Sequence, residues 1–285
     1  MLVIKPIGGL CNRMRAIDSA VALGRKVDRP VRVIWERNTD LNCRYDHLFN
    51  PSPHFTVKET GYFSNRHPHT FASRLLLKTQ TYKLFSAGRY RKVLYDEDLE
   101  NKDIYPVCEA LLKSPGTVLI ICCCKFLPTG SLQEHFNPIP LIEEKIKWQA
   151  DQISPQTIGI HMRRTDNVKA IKHSPDELFI QAMEMEIGND ADANFFVATD
   201  SEQTLNQLHA IFPGKIISHP NERTRNSEKG VQDALIDLIC LSRTKKIYGS
   251  FWSSFSEVAA ELSGIEMITA TQSLETLHLS SDNRK

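Results

Sequence analysis

Arginine suits a diphosphate well, because its planar guanidinium keeps its charge at any working pH and its fork of donors matches phosphate oxygens. Two arginines stand together in His161-Met162-Arg163-Arg164-Thr165-Asp166, directly after the apolar run at 157–160. A surface salt bridge is the other use of such a pair. Asp200 follows a second apolar run, 194–198, and its spacing to Gln203 is that of a helix cap with its reciprocal partner. Gly249-Ser250-Phe251-Trp252-Ser253-Ser254 follows a third, 246–248. There Ser254 and Glu257 have the S-x-x-E spacing of a capping box, while a helix start flanked by glycine and hydroxyls also offers free backbone N–H groups to an anion. Ser174, Pro175 and Glu177 form a further capping box, for which the structural reading suffices. In a helical pattern whose apolar stripe is Val231, Ala234, Leu235, Leu238 and Ile239, Asp233 and Asp237 share another face. An exposed pair is the ordinary reading of that face; a carboxylate there could instead accept the paired N–H donors of a guanine edge.

A second kind of site lies near the start, in Gly8-Gly9-Leu10-Cys11-Asn12-Arg13. Its glycines sit between a strand and a helix and allow a ligand to approach the backbone closely across a cleft between domains. The segment is not G-x-G-x-x-G, and the chain contains no G-x-x-x-x-G-K-[ST], which disfavours dinucleotide oxidoreductases and P-loop kinases.

The elements that would position these residues fall into two α/β halves. Residues 2–4 read as a strand, a helix with Met14, Ile17, Val21 and Gly24 on one face follows, and 31–35 reads as the next strand. Pro51, Pro53 and Pro68 make the middle irregular. The basic segment 74–92, with Tyr82, Phe85 and Tyr90, reads as a solvated helical face rather than a nucleic-acid patch. A very apolar strand at 117–126 closes the first sheet, and Pro128, Gly130, Pro138 and Pro140 lead to an amphipathic helix ending near Gln152. Strands at 157–160, 194–198, 215–217, 246–248 and 265–268 then alternate with helices after Pro175 and at 202–211, 231–241 and 256–262. That alternation predicts a parallel doubly wound sheet, whose ligands bind at the carboxyl ends of its strands. The expected domains are 1–150 and 151–270, with a polar, loosely attached tail at 271–285.

The bulk properties are those of an ordinary globular chain: 285 residues, 41% hydrophobic, 24% charged, formal net charge +1. No field of that size attracts nucleic acid or membrane. No apolar run approaches the roughly 18 residues of a membrane span, and the first residues lack the basic lead-in and apolar centre of a signal peptide. A soluble, cytoplasmic protein is expected. Seven cysteines form an odd set without framework spacing, which fits a reducing compartment. Cys122, Cys123 and Cys124 read as small buried hydrophobes, since neighbours on a strand point to opposite faces and cannot easily share a metal.

Taken together, GGLCNR, IHMRRTD, FFVATDSE and DLICLS followed by GSFWSSFSE resemble the motif set of the fucosyltransferase superfamily, which includes α-1,6-, NodZ-type, α-1,2- and protein O-fucosyltransferases. The motifs cover most of 158–261 and one loop near the start; the Arg-Arg-Thr-Asp wording is closest to the α-1,6 branch. The resemblance implies a GT-B architecture, two Rossmann-like parallel-sheet domains facing a cleft, with the donor in the second. It implies an inverting, metal-independent transfer of L-fucose from GDP-β-L-fucose to a hydroxyl of a glycan or glycoconjugate, with no cofactor besides the donor substrate. By the same resemblance Arg163 holds the β-phosphate and assists departure of GDP, with Arg164 nearby. His161 and Asp237 contact the guanosine, Ser253 and Ser254 bind phosphate oxygens, and Asn12 and Arg13, beside Gly9, close the cleft from the first domain. Asp200 is counted among the donor-binding residues. The same scaffold with another nucleotide sugar, and a nucleotide-binding module without catalysis, are the alternatives.

Two details bear on mechanism. A metal-using transferase needs a D-x-D at a strand end, whereas Asp96-Glu97-Asp98 reads as part of an irregular stretch and Asp190-Ala191-Asp192 precedes its strand. The α-1,6 branch has a candidate basic glutamate after Arg-Arg-Thr-Asp, but here that stretch reads Asn167-Val168-Lys169-Ala170-Ile171-Lys172-His173. Asp166 and His173 are the candidate bases, with Glu36 and Asp40 of the first domain as alternatives.

Overall fold

The computed structural model describes residues 1–60, 90–100, 103–113, 115–127 and 132–271. Pro68, Tyr82, Phe85, Pro128, Gly130 and the tail after Thr271 lie outside the described residues. The chain forms two compact units: Met1–Ile139 with Arg225–Val231, and Pro140–Thr224 with the chain from Gln232 onward. The division falls earlier than residue 150, so the helix expected to end the first half is counted with the second.

The first unit is built from β1 (Leu2–Pro6), α1 (Leu10–Lys26), β2 (Val31–Glu36), β3 (Phe55–Thr60), β4 (Lys92–Tyr95), α2 (Asp96–Leu99), α3 (Tyr105–Leu112), β5 (Val118–Cys122) and α4 (Leu132–His135). Among the described residues its five strands are parallel, in the order β3-β2-β1-β5-β4. The central strands β1 and β5 pair from Leu2↔Val118 to Pro6↔Cys122, and their largely apolar sequences suit a sheet covered on both faces. Met14, Ile17 and Val21 of α1 are buried as their spacing predicts. All seven cysteines are free thiols. Burial pushes Cys43 up to about 12 and Cys123 up to about 11, which makes both poor nucleophiles.

Two expectations for this unit change. Asp96 follows β4 directly, so the first D-x-D does stand at a strand end; its acids are spent on main-chain donors. Asp96 Oδ1 accepts the N–H groups of Cys123 and Cys124 at 2.9 and 3.1 Å, and Asp98 Oδ2 accepts that of Tyr95 at 2.9 Å. The cysteine triplet, read as unable to share a metal easily, places Cys122 and Cys124, two residues apart, on the same side, where with Asp96 they bring ligand atoms within 4.8 Å of one another.

The second unit contains α5 (Pro140–Ala150), β6 (Ile158–Met162), α6 (Val168–His173), α7 (Asp176–Asn189), β7 (Phe195–Thr199), α8 (Glu202–Ile211), β8 (Ile216–Ile217), α9 (Glu228–Ser242), β9 (Lys246–Gly249), α10 (Ser254–Ser263) and β10 (Glu266–Thr269). The first residues of α9 belong to the first unit. The strands are parallel in the order β10-β9-β6-β7-β8. From β6 the chain builds outward through β7 and β8, then returns to the other side of β6 with β9 and β10. The order therefore reverses between β6 and β9, and a crevice outside their carboxyl ends is the ligand position such a sheet provides. Ile160, Met162, Phe179, Met183, Phe195, Val197 and Tyr248 fill the core beneath that edge. Gly249 ends β9 where a Cβ would stand 2.6 Å from the Ser256 side chain, so only glycine lets α10 start this close to the sheet. Among the described residues no helix is long and apolar enough to cross a membrane.

Candidate functional site

Arg163 is the first residue past β6, at the reversal of strand order. Its backbone N–H donates to Ser250 Oγ at 2.9 Å, and that hydroxyl donates to the His161 carbonyl at 3.2 Å, which ties the ends of β6 and β9 together. Its guanidinium lies between two carboxylates: Nε is 3.2 Å from Asp200 Oδ2, and Nη2 donates to Asp166 Oδ1. Nη1 has no protein partner among the described residues. The side chain is partly open to solvent, as are its two acids. It is a cation held in place by exchangeable partners.

Arg164 is used differently. Nε donates to Asp176 Oδ1 at 2.5 Å, Nη1 to the Arg163 carbonyl at 2.9 Å and Nη2 to the Ser174 carbonyl at 2.9 Å, and the guanidinium covers the Phe179 ring at 5.3 Å. All three nitrogens are committed, so Arg164 bolts this loop to the start of α7.

The expected caps also change, with one physical reason: these acceptors serve neighbouring loops instead of their own helices. Asp200 does not cap α8, whose N-cap is Ser201 accepting from the Thr204 N–H at 3.2 Å. Its carboxylate accepts the Arg164 N–H at 2.6 Å and the Thr165 hydroxyl at 2.7 Å. Ser174 is not a cap either; the N-cap of α7 is Pro175, and Ser174 Oγ accepts the Phe251 N–H at 2.8 Å. Helix α10 starts at Ser254, with Ser253 as an N-cap whose side chain makes no capping bond. The Ser253 and Ser254 hydroxyls thus stand at the open end of a ten-residue helix, where backbone N–H groups and the helix dipole favour an anion.

Trp252, just before them, is exposed and has a positive φ of 53°, an uncommon backbone state for a bulky residue. Lys169 Nζ sits 3.6 Å above its ring, and Asn167 Nδ2 donates to its carbonyl at 3.2 Å. His173 is exposed and packs on Phe251 with ring centroids 4.9 Å apart. Asp166 is engaged by Arg163 rather than by His173.

Two deeper groups carry unpaired polar atoms. His161 ends up inside β6, stacked on Phe255 at 4.7 Å, and its Nδ1 has no hydrogen-bond partner. Burial, reinforced by the charge of Arg163, pushes its imidazole down to about 3, so the ring is neutral. Asp233 and Asp237 are both buried, which corrects the expected exposed pair. They turn toward the loop after β8. His219 Nε2 is 3.3 Å from Asp233 Oδ1, the Glu222 N–H donates to Asp233 Oδ2 at 3.2 Å, and Asn221 Nδ2 donates to Asp237 Oδ2 at 2.5 Å. Asp237 Oδ1 and Asn221 Oδ1 are left without partners. Burial raises the Asp237 carboxyl well above its usual range, against the lowering effects of Arg223 and Asn221. Arg223, at a φ of 48°, anchors the loop by donating to the Thr199 carbonyl at 2.7 Å and to Glu202 at 2.6 Å. Sequence reasoning missed Ser250, His219, Asn221 and Arg223. Reading the residues after 215–217 as closely as those after the other strands would have found the last three.

In the first unit Gly8 takes a φ of 81° and Gly9 is the N-cap of α1. Asn12 Oδ1 is buried without a hydrogen bond. Arg13, expected to reach a ligand, is wholly buried. It donates from Nε to the Gly8 carbonyl at 2.8 Å, from Nη1 to the Glu36 carbonyl at 2.5 Å and from Nη2 to Asn38 Oδ1 at 3.0 Å, and it lies 5.1 Å over Trp35. Burial lowers its pKa to about 10, still charged at neutrality. Of the alternative bases, Glu36 is buried and paired with Lys5 at 3.0 Å, while Asp40 is exposed.

No family model and no curated protein matches this chain in sequence. Solved structures do match in fold. A NodZ α-1,6-fucosyltransferase soaked with GDP-fucose is 17% identical over 92% of each chain, with a TM-score of 0.57. Arabidopsis thaliana FUT1, as a point mutant in complex with GDP, is 14% identical over 93% of this chain and 69% of its own, with a TM-score of 0.59. POFUT1 in complex with GDP is 10% identical over 94% and 97%, with a TM-score of 0.52. At such identities the likeness establishes the fold: two Rossmann-like parallel-sheet units of the GT-B type.

Proposed function

We propose that this chain is a glycosyltransferase that moves L-fucose from GDP-β-L-fucose to a glycan hydroxyl, with inversion and without a divalent ion at the diphosphate. One observation carries the reading: the unit with a tethered guanidinium at its switch point also keeps buried acceptors, Asp237 Oδ1 and Asn221 Oδ1, unpaired. An orphaned buried acceptor costs about 1–3 kcal/mol, and guanine N1–H and N2–H are donors that would relieve it. The fold likeness to solved fucosyltransferases holding GDP or GDP-fucose supports the same choice.

The chemistry follows from charge. An acceptor oxygen attacks the anomeric carbon from the face opposite the diphosphate, the bond to the β-phosphate oxygen breaks, and negative charge grows on GDP. Arg163 would exchange its carboxylate partners for phosphate oxygens, and the open start of α10 with Ser253 and Ser254 would take the others. Fixed donors of this kind favour the transition state over the bound substrate. Asp166, on the loop after β6, and His173, at the end of α6, are the residues able to take the acceptor proton; of the two, His173 has no ion pair among the described residues.

The deciding experiment is a thermal-shift series with GDP, UDP, ADP and their sugar conjugates in chelator, followed by a hydrolysis assay. GDP and GDP-fucose should raise Tm most, and slow release of fucose should vanish in Arg163→Ala. A larger shift with UDP would transfer the assignment to another donor, and binding without turnover toward water or any glycan would reduce the chain to a nucleotide-binding module.

A further inference from the structure

The first unit brings together His54, Glu134 and His135, each offering one ligand atom, all within 4.8 Å of one another. His54 precedes β3, and Glu134 and His135 end α4. His135 is fully buried, between Phe55 and Phe136 and against the His54 ring at 5.0 Å. Its Nδ1 lies 2.9 Å from Oδ1 of Asp18, an equally buried carboxylate from the middle of α1, without hydrogen-bond geometry, and its Nε2 has no hydrogen-bond partner either. A histidine packed only as a core residue would turn that second nitrogen to a carbonyl or to solvent. Here a buried carboxylate stands beside Nδ1, the tautomer that turns an Nδ1 hydrogen toward it would leave an unshared pair on Nε2, and the neighbouring ligand atoms belong to another imidazole and a surface glutamate.

We propose that His54, Glu134 and His135 form a binding site for a divalent transition metal of the zinc class, with Asp18 as the outer carboxylate that orients His135. Two imidazole nitrogens and one carboxylate oxygen suit zinc and its borderline neighbours rather than calcium or magnesium. The carboxylate–histidine arrangement is the one that commonly supports a metal-bound imidazole. Bonds of about 2.0–2.2 Å require the three atoms to draw closer, and the exposed Glu134 and half-buried His54 side chains have room to do so. Arg25 competes for the place: its Nη2 is 3.2 Å from His54 Nδ1 and 3.9 Å from Glu134, and it must swing into solvent when the ion enters. The ion would join α1, α4 and the approach to β3, and so would stabilise the first unit. The site shares no residue with the proposed donor site.

The test uses the full chain, stripped with chelator and titrated with Zn²⁺ against a chromophoric competitor, with Co²⁺ absorption reporting the ligand field. One equivalent should bind and raise Tm. His54→Ala and Glu134→Ala, both changes of accessible side chains, should each weaken binding by about tenfold or more, and Asp18→Asn by roughly 10- to 100-fold. Arg25→Ala should bind Zn²⁺ as tightly as the parent or more so, an outcome that a purely structural cluster does not produce. Cys122→Ser with Cys124→Ser should leave binding intact. Absence of binding at micromolar Zn²⁺, indifference to His54→Ala and Glu134→Ala, or loss of binding with the two serine changes would overturn the site.

Discussion

Arg13 and Arg163 each follow the carboxyl end of a central parallel strand, one in each unit, yet they hold opposite kinds of partner. Arg13 gives its donors to two main-chain carbonyls and an asparagine oxygen, under a tryptophan, with no exposure. Arg163 leans on two acids that remain in touch with solvent. A guanidinium bound to main-chain carbonyls and shut away from solvent is part of the fold, since little water reaches those acceptors to replace it. One bound to carboxylates that keep other donors or solvent contact can exchange them for another anion. The difference separates a cation built into the scaffold from one kept ready for a phosphate.

The sharpest break of that comparison is Arg163→Ala. Fucosyl transfer should fall by roughly 10²–10³-fold, the usual loss when one fixed charge-stabilising donor is removed, with little change in Tm. Arg164→Ala, its neighbour, should do the reverse in kind, lowering Tm through the loosened α7 junction. Equal losses of activity with no loss of stability in both variants would dissolve the distinction drawn between them.

Next comes Arg13→Ala. The buried Glu36 carbonyl and the part-buried Gly8 carbonyl would each lose a donor at about 1–3 kcal/mol, so an unfolding free energy lower by about 2–6 kcal/mol is expected in chemical denaturation. A variant as stable as the parent, with impaired GDP binding, would return Arg13 to the role of ligand.

Much of this was legible in the sequence, and the parts that were not have common causes. Strands β1, β2, β5, β6, β7 and β9 announce themselves as apolar runs because both faces of their sheets are covered. β3, reading FTVKET, and β4, reading KVLY, sit at the two edges of the first sheet, where polar residues are tolerated and no apolar run forms. The candidate ligands were found by the rule that they follow strands; their partners were not. Asp200 and Ser174 have the spacing of caps, and only the approach of a second loop diverts their oxygens. The burial of Arg13 and of the acids on α9 was likewise hidden, because a charge on a helix is exposed by default and its burial depends on what another segment brings to it.

A third measurement sharpens the picture of the second unit by acidification. The folded-state imidazole of His161 is pushed down to about 3, against about 6.5 when unfolded. As pH falls through 6.5 the unfolded chain takes up the proton first, so stability is present above that value and drains away between about 6.5 and 3. The slope is at most about 1.4 kcal/mol per pH unit. Between pH 7 and 5 the parent should lose about 1–2 kcal/mol more than His161→Phe, which keeps a ring against Phe255. Parallel curves for the two proteins would show that His161 protonates freely and that the pocket around it is wetter than its contacts indicate.

The smallest effect concerns two serines that look alike in sequence. Ser201 caps α8 with its hydroxyl, and Ser253 occupies the same position on α10 without a side-chain bond. Ser201→Ala should therefore cost about 1 kcal/mol of stability, an ordinary capping loss, and Ser253→Ala less than about 0.5 kcal/mol. If the Ser253 hydroxyl is reserved for the donor, the order reverses when GDP affinity is measured: Ser253→Ala weakens GDP by several-fold, and Ser201→Ala leaves it alone. Calorimetric titration of both variants distinguishes this from a hydroxyl that is merely idle, because an idle group would be neutral in both measurements.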